Sequence, residues 1–132
     1  MAKILVLHGP NLNLLGVREP AIYGRDTLAD INTTLTTRAG EAGHSVAYFQ
    51  SNAEHELIDW IREARERPAG VVINPAGLSF RSIPLLDALK ILEQSIVEIH
   101  VTQIHKRGGL YKESLVSTVS DVVICGAGVF GY

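Results

Sequence analysis

Glu98, His100 and Thr102 occupy alternate positions in the stretch Ile96-Val97-Glu98-Ile99-His100-Val101-Thr102. In an extended chain, period two places all three on one face. A carboxylate two residues from an imidazole can orient the ring and raise its basicity, which suits general acid–base work. The same pair also reads as a satisfied core histidine beside an edge glutamate. A second stretch, His8 to Gly24, runs HGPNLNLLGVREPAIYG. Pro10 cannot serve inside a central strand, so the chain leaves any sheet there. From Gly16 to Gly24, glycines flank Arg18, Glu19 and Tyr23, which is the composition of a lid. An ordinary surface loop with Tyr23 packed on a helix is the plainer alternative. His105 receives no role. With no third ligand at useful spacing from His100 and His105, no metal site is expected.

Five apolar runs must position these residues: Ile4–Leu7, Val46–Phe49, Gly70–Ile73, Ile96–Val101 and Val122–Cys125. They are near-continuous and mostly β-branched, as expected of strands buried on both faces. Amphipathic helices fall between them. Thr27 and Asp30 form a capping-box signature before Leu28, Ile31, Leu35, Ala39 and Ala42, and Gly43 is a C-terminal stop. Ser51 and Glu54 repeat the box before Leu57, Ile58, Ile61 and Ala64, and Pro68 closes that segment. Ser82 caps a third helix, with Pro84 in its first turn and Leu85, Leu86, Leu89 and Leu92 inward. The alternation predicts an α/β fold with helices on both faces of a parallel sheet. The flavodoxin-like order 2-1-3-4-5 is the economical choice. Ligands in such sheets bind beyond the carboxyl ends of the strands, at the switch point. Strand 1 leads into His8-Gly9-Pro10-Asn11, and strand 3 into Asn74-Pro75-Ala76-Gly77.

The totals exclude much. A chain of 132 residues, 46% hydrophobic and 20% charged, fits one globular domain over 1–132. A net charge of −2 without a basic run gives no reason to expect nucleic acid. The first apolar stretch is too short for a signal peptide, and no segment is long enough to span a membrane, so a cytoplasmic location is expected. The single cysteine, Cys125, reads as a buried structural thiol. A phospho-acceptor receiver would need an aspartate where Asn74 stands and acidic residues after strand 1. A flavin module would need a hydroxyl-rich phosphate loop in place of Gly9-Pro10-Asn11-Leu12-Asn13. No Rossmann or P-loop glycine pattern occurs.

The run GPNLNLLG followed by REP and YG resembles the N-terminal signature of the type II 3-dehydroquinate dehydratases. QSNAEHELIDWI, VVINPAG, Ser82, Asp87 and VEIH continue the resemblance in order over nearly the whole chain. It implies a cofactor-free hydro-lyase that converts 3-dehydroquinate to 3-dehydroshikimate through an enolate. Tyr23 would take the proton beside the ketone, as a phenol ionised by its surroundings, with Arg18 supplying positive charge. Asn11 would steady the enolate through water. His100 would protonate the departing hydroxyl, oriented by Glu98. Asn74 and the backbone at Val101 and Thr102 would hold the substrate carboxylate. Asp87 would sit at a trimer contact and reach a neighbouring site, in a homo-oligomer of trimers building to a dodecamer. The resemblance leaves open whether the reaction serves the shikimate pathway to aromatic amino acids or quinate catabolism.

The pattern departs from the family at the part that reads ring hydroxyls. Phe80-Arg81-Ser82 stands for histidine-threonine-serine, Tyr111 for an arginine, and Thr102-Gln103 for serine-asparagine. Arg81 is the expected compensation near Tyr111. Two alternatives follow: a divergent relative acting on, or binding, a less hydroxylated cyclic hydroxy acid, and a non-catalytic flavodoxin-like oligomer.

Overall fold

The computed structural model describes residues 3–67 and 69–132. Its five-stranded parallel sheet has the order β2-β1-β3-β4-β5, as expected. The strands are β1 (Lys3–His8), β2 (Ser45–Gln50), β3 (Ala69–Asn74), β4 (Ile96–His100) and β5 (Val122–Cys125). The helices are α1 (Pro20–Tyr23), α2 (Leu28–Glu41), α3 (Glu54–Arg65), α4 (Ile83–Lys90) and α5 (Ile104–Arg107). β1 is flanked by β2 and β3, with His8 opposite Gln50 on one side and Asn74 on the other. The carboxyl ends of β1 and β3 are therefore side by side at the switch point.

Alternation along the strands divides the core. Leu5, Leu7, Val71, Ile73 and Ile96 meet Leu57, Ile61 and Ala64 of α3 and Leu85, Ala88 and Leu89 of α4. On the opposite side, Ile31, Leu28 and Leu35 of α2 pack with Leu12, Leu15, Val129 and Tyr132. Fully burying each Leu or Ile stabilises the fold by about 1.5–3 kcal/mol. The edge strands depart from the expectation of burial on both faces: Tyr48, Phe49, Val122 and Val123 are exposed, on strands at the two margins of the sheet. Cys125, on the β5 edge, is half-buried rather than buried.

Two of the three N-terminal caps read from the sequence form. Thr27 and Asp30 form the full capping box of α2. That helix ends in a Schellman motif, in which His44 N–H donates to Ala39 O at 2.8 Å and Gly43 N–H to Gly40 O at 3.0 Å. Ser82 caps α4 by accepting from Leu85 N–H. The second box does not form. The N-cap of α3 is Ala53, without a side-chain cap. Ser51 Oγ instead accepts from Ala53 N–H and donates to Glu56, while Glu54 accepts from Ser82 Oγ at 2.6 Å. A tertiary bond between α3 and α4 has taken the carboxylate that the box needed. Pro68 lies outside the described residues. No helix among the described residues is long and apolar enough to cross a membrane.

Candidate active site

A cavity of about 220 Å³ opens beyond the carboxyl ends of β1, β3 and β4. Asn11, Arg18, Tyr23, Asn74, Phe80, His100, Val101, Thr102 and Tyr111 all line it. Three short backbone devices bring them together. Gly9 N–H donates to Asn74 O at 2.8 Å, and a Cβ on Gly9 would lie 2.6 Å from Pro75 O. Only glycine allows the two loops this approach. Asn11 has φ 68, a left-handed conformation that asparagine tolerates, and Asn52 Oδ1 accepts its backbone N–H at 2.9 Å. Gly16 (φ 88) sits so close to Arg25 O that a Cβ would be 2.9 Å away, which brings the two ends of the segment from Gly16 to Arg25 together. The segment between Gly16 and Gly24 is not a plain loop: Pro20 opens the short helix α1, which carries Tyr23.

Tyr23 has two guanidinium groups near its ring. Cζ of Arg18 is 5.1 Å from its ring centroid and Cζ of Arg107 is 5.9 Å from it. Arg107 also lies 4.0 Å over the ring of Tyr111, and Tyr111 meets Phe80 edge-on at 5.3 Å. Arg107 was missed from sequence, although its place in α5, just beyond the end of β4, satisfies the switch-point rule. Arg81, the expected compensation, is exposed and does not line this cavity; it borders a separate open groove with Phe80 and Leu110. Arg107 is the guanidinium beside Tyr111. Asp87 is exposed on α4 and does not line the cavity of its own chain. His105 is exposed, and its Nδ1–H donates to Lys112 O at 2.7 Å, tying α5 to the following turn.

The Glu98–His100 pair is buried, with Nε2 of His100 bonded to Glu98 Oε2. That bond leaves Nδ1 as the ring nitrogen that can address the cavity. Sequence reasoning missed what holds Glu98. Ser114 Oγ donates to Oε2 at 2.7 Å, Ser117 Oγ to Oε1 at 2.7 Å and Ser120 Oγ to Oε1 at 3.3 Å. Burial pushes the Glu98 carboxyl up, but the bonds from His100, Ser114 and Ser117 and the charge of His100 outweigh it. The carboxyl rests below its ordinary value. The Cys125 thiol is pushed up by burial and by the negative charge of Glu98. It is no activated nucleophile.

The family model described as Dehydroquinase class II matches residues 2–132. The chain belongs to the class II dehydroquinase family. It is 52% identical to a 3-dehydroquinate dehydratase of Cellvibrio japonicus, covering 100% of this chain and 90% of that one. It is 48% identical to 3-dehydroquinate dehydratase 2 of Agrobacterium fabrum, with the same coverage. Among solved structures, the type II dehydroquinase of Propionibacterium acnes superposes with a TM-score of 0.97 at 39% identity, covering 100% of this chain and 91% of that one. Class II dehydroquinase membership accounts for the flavodoxin-like sheet and for the cavity at its switch point. The comparisons favour neither sequence alternative.

Proposed function

We propose that this protein is a hydro-lyase that dehydrates 3-dehydroquinate to 3-dehydroshikimate without a cofactor. One observation carries the reading: a tyrosine flanked by two guanidinium groups shares a cavity with a carboxylate-held histidine. Both guanidinium groups bring positive charge to the phenol ring. Tyr23 as phenolate takes the proton from the carbon beside the ketone, and the electron pair moves onto the ketone oxygen as an enolate. Asn11, which lines the cavity, steadies that oxygen through water. The enolate then collapses to the conjugated double bond. The C–O bond breaks, and His100 gives its proton to the departing hydroxyl, which leaves as water. Glu98 keeps the imidazole oriented through its bond to Nε2. Asn74, with the backbone at Val101 and Thr102, holds the substrate carboxylate. Phe80 and Tyr111 form an aromatic wall beside the ring, and Arg107 supplies the charge there.

The reading extends to a cytoplasmic homo-oligomer, a trimer or a dodecamer of four trimers, in which Asp87 reaches a neighbouring site. Exposed Asp87 on α4 and the uncovered apolar edges of β2 and β5 leave room for such contacts. Light scattering that returned a stable monomer would remove both the assembly and the role of Asp87. The reaction itself is tested with Tyr23→Phe. General acid–base groups contribute about 10²–10⁴-fold, so turnover falls by that order while a substrate analogue still binds. A Tyr23→Phe enzyme close to wild-type rate rules out Tyr23 as the base.

A further inference from the structure

The amide of Asn74 is held on both sides by groups that the mechanism above does not use. Its Oδ1 accepts from Ala76 N–H at 3.1 Å, and its Nδ2 donates to the Tyr132 hydroxyl at 3.0 Å. An asparagine amide has one acceptor oxygen and two N–H donors. With Oδ1 turned to Ala76 and one N–H to Tyr132, the remaining N–H is what Asn74 offers to the cavity it lines. A flipped amide would set Nδ2–H against Ala76 N–H, donor to donor.

The wiring continues below the site. The Tyr132 hydroxyl accepts from Asn74, so its single proton goes to Nδ1 of His8, 3.2 Å away. Nδ1 is then bare, and the ring proton sits on Nε2, which donates to Asn32 Oδ1 at 2.9 Å. Burial lowers the pKa of His8, against the opposing pull of Asn32, which favours this neutral ring. Burial also raises the pKa of Tyr132, keeping its hydroxyl protonated. All four bonds therefore point the same way, from Ala76 through Asn74, Tyr132 and His8 to Asn32 on α2. Bonds in such head-to-tail chains polarise one another.

We infer that Tyr132 and His8 are positioning residues that fix the Asn74 amide with a donor facing the substrate carboxylate. An amide oxygen turned to that anion would repel it. The inference rests on the reading of Asn74 as a carboxylate holder, and the test separates the two. Steady-state kinetics with 3-dehydroquinate compare Tyr132→Phe, Asn74→Ala and the double variant in the full chain. A rise in KM with kcat unchanged marks lost ground-state binding. Tyr132→Phe should raise KM about threefold to tenfold, the worth of one net hydrogen bond, with kcat preserved. In the Asn74→Ala background it should raise KM no further, because coupled residues are not additive. If Tyr132→Phe does not fold, Asn32→Ala at the far end of the chain replaces it, with the same direction expected. A full, additive effect in the Asn74→Ala background overturns the inference, as does an unchanged KM in Tyr132→Phe. If Asn74→Ala itself leaves KM unchanged, the assigned role of Asn74 fails, and the inference fails with it.

Discussion

Glu98→Gln isolates the charge of the buried carboxylate from its hydrogen bonds. In the native site Oε2 accepts from His100 and Ser114, and Oε1 from Ser117 and Ser120. A glutamine with its oxygen in the Oε2 position keeps the first pair. Its amide nitrogen then faces Ser117 and Ser120, whose hydroxyls can rotate and accept. Packing and hydrogen-bond count survive, and the charge beside the imidazole is lost. A bond to an ionised group is worth about 1.5–3 kcal/mol against about 0.5–1.5 for a neutral one. The difference, roughly 1–1.5 kcal/mol, corresponds to a loss of about five- to tenfold in kcat. Glu98→Ala goes further, leaving His100 Nε2–H and the hydroxyls of Ser114 and Ser117 without their acceptor, while Ser120 keeps Val116 O at 2.8 Å, and lowers both rate and stability more. The pH dependence supplies a second arm. The folded Glu98 carboxyl lies below its unfolded value of about 4.3, so its contribution is complete above that pH and is lost as pH falls through the folded value. Glu98→Gln abolishes this part of the acid sensitivity. Initial rates and urea titrations at pH 7 and pH 4 read both effects. A Glu98→Gln enzyme with wild-type kcat and an unchanged acid profile would refute the orienting role.

Two further changes probe the scaffold. Gly9→Ala places a Cβ 2.6 Å from Pro75 O and forces β1 and β3 apart beneath the site, so urea denaturation should show a loss of about 1–3 kcal/mol together with reduced turnover. A stable, active Gly9→Ala would mean the loops have room that the geometry denies them. Ser79 carries a fully buried hydroxyl without a hydrogen-bond partner among the described residues, so Ser79→Ala should hold or raise stability, by up to about 1 kcal/mol. A clear loss of stability would reveal an ordered partner for that hydroxyl.

What the sequence made legible was local or periodic. The parallel sheet followed from alternation, the order 2-1-3-4-5 was the economical choice that the structure bears out, and the caps at Thr27 and Ser82 followed from hydroxyls that accept from the backbone within their own first turn. Tyr23, Arg18, Asn11 and His100 stand in long motifs. The parts left unread are long-range. Tyr132 meets Asn74 across 58 positions, and Ser117 meets Glu98 across 19. No local spacing announces such pairs. The Ser51 box failed for the same reason, since Ser82 claimed Glu54 from another helix. Arg107 is different. Its signal was present, because a basic residue just past the end of β4 satisfies the rule that marked Asn11 and Asn74. Arg81 drew the attention instead by lying next to Phe80 in sequence, whereas the turn at residues 80–82 sends it to another groove.

The central claim is that this cavity removes water from 3-dehydroquinate unaided. The most direct measurement is the ultraviolet absorbance of the conjugated enone as purified protein meets 3-dehydroquinate in metal-free buffer. Steady growth of that absorbance, abolished in His100→Ala and Tyr23→Phe, is the predicted result. No enone from a folded wild-type protein, or the same rate from all three proteins, would contradict it.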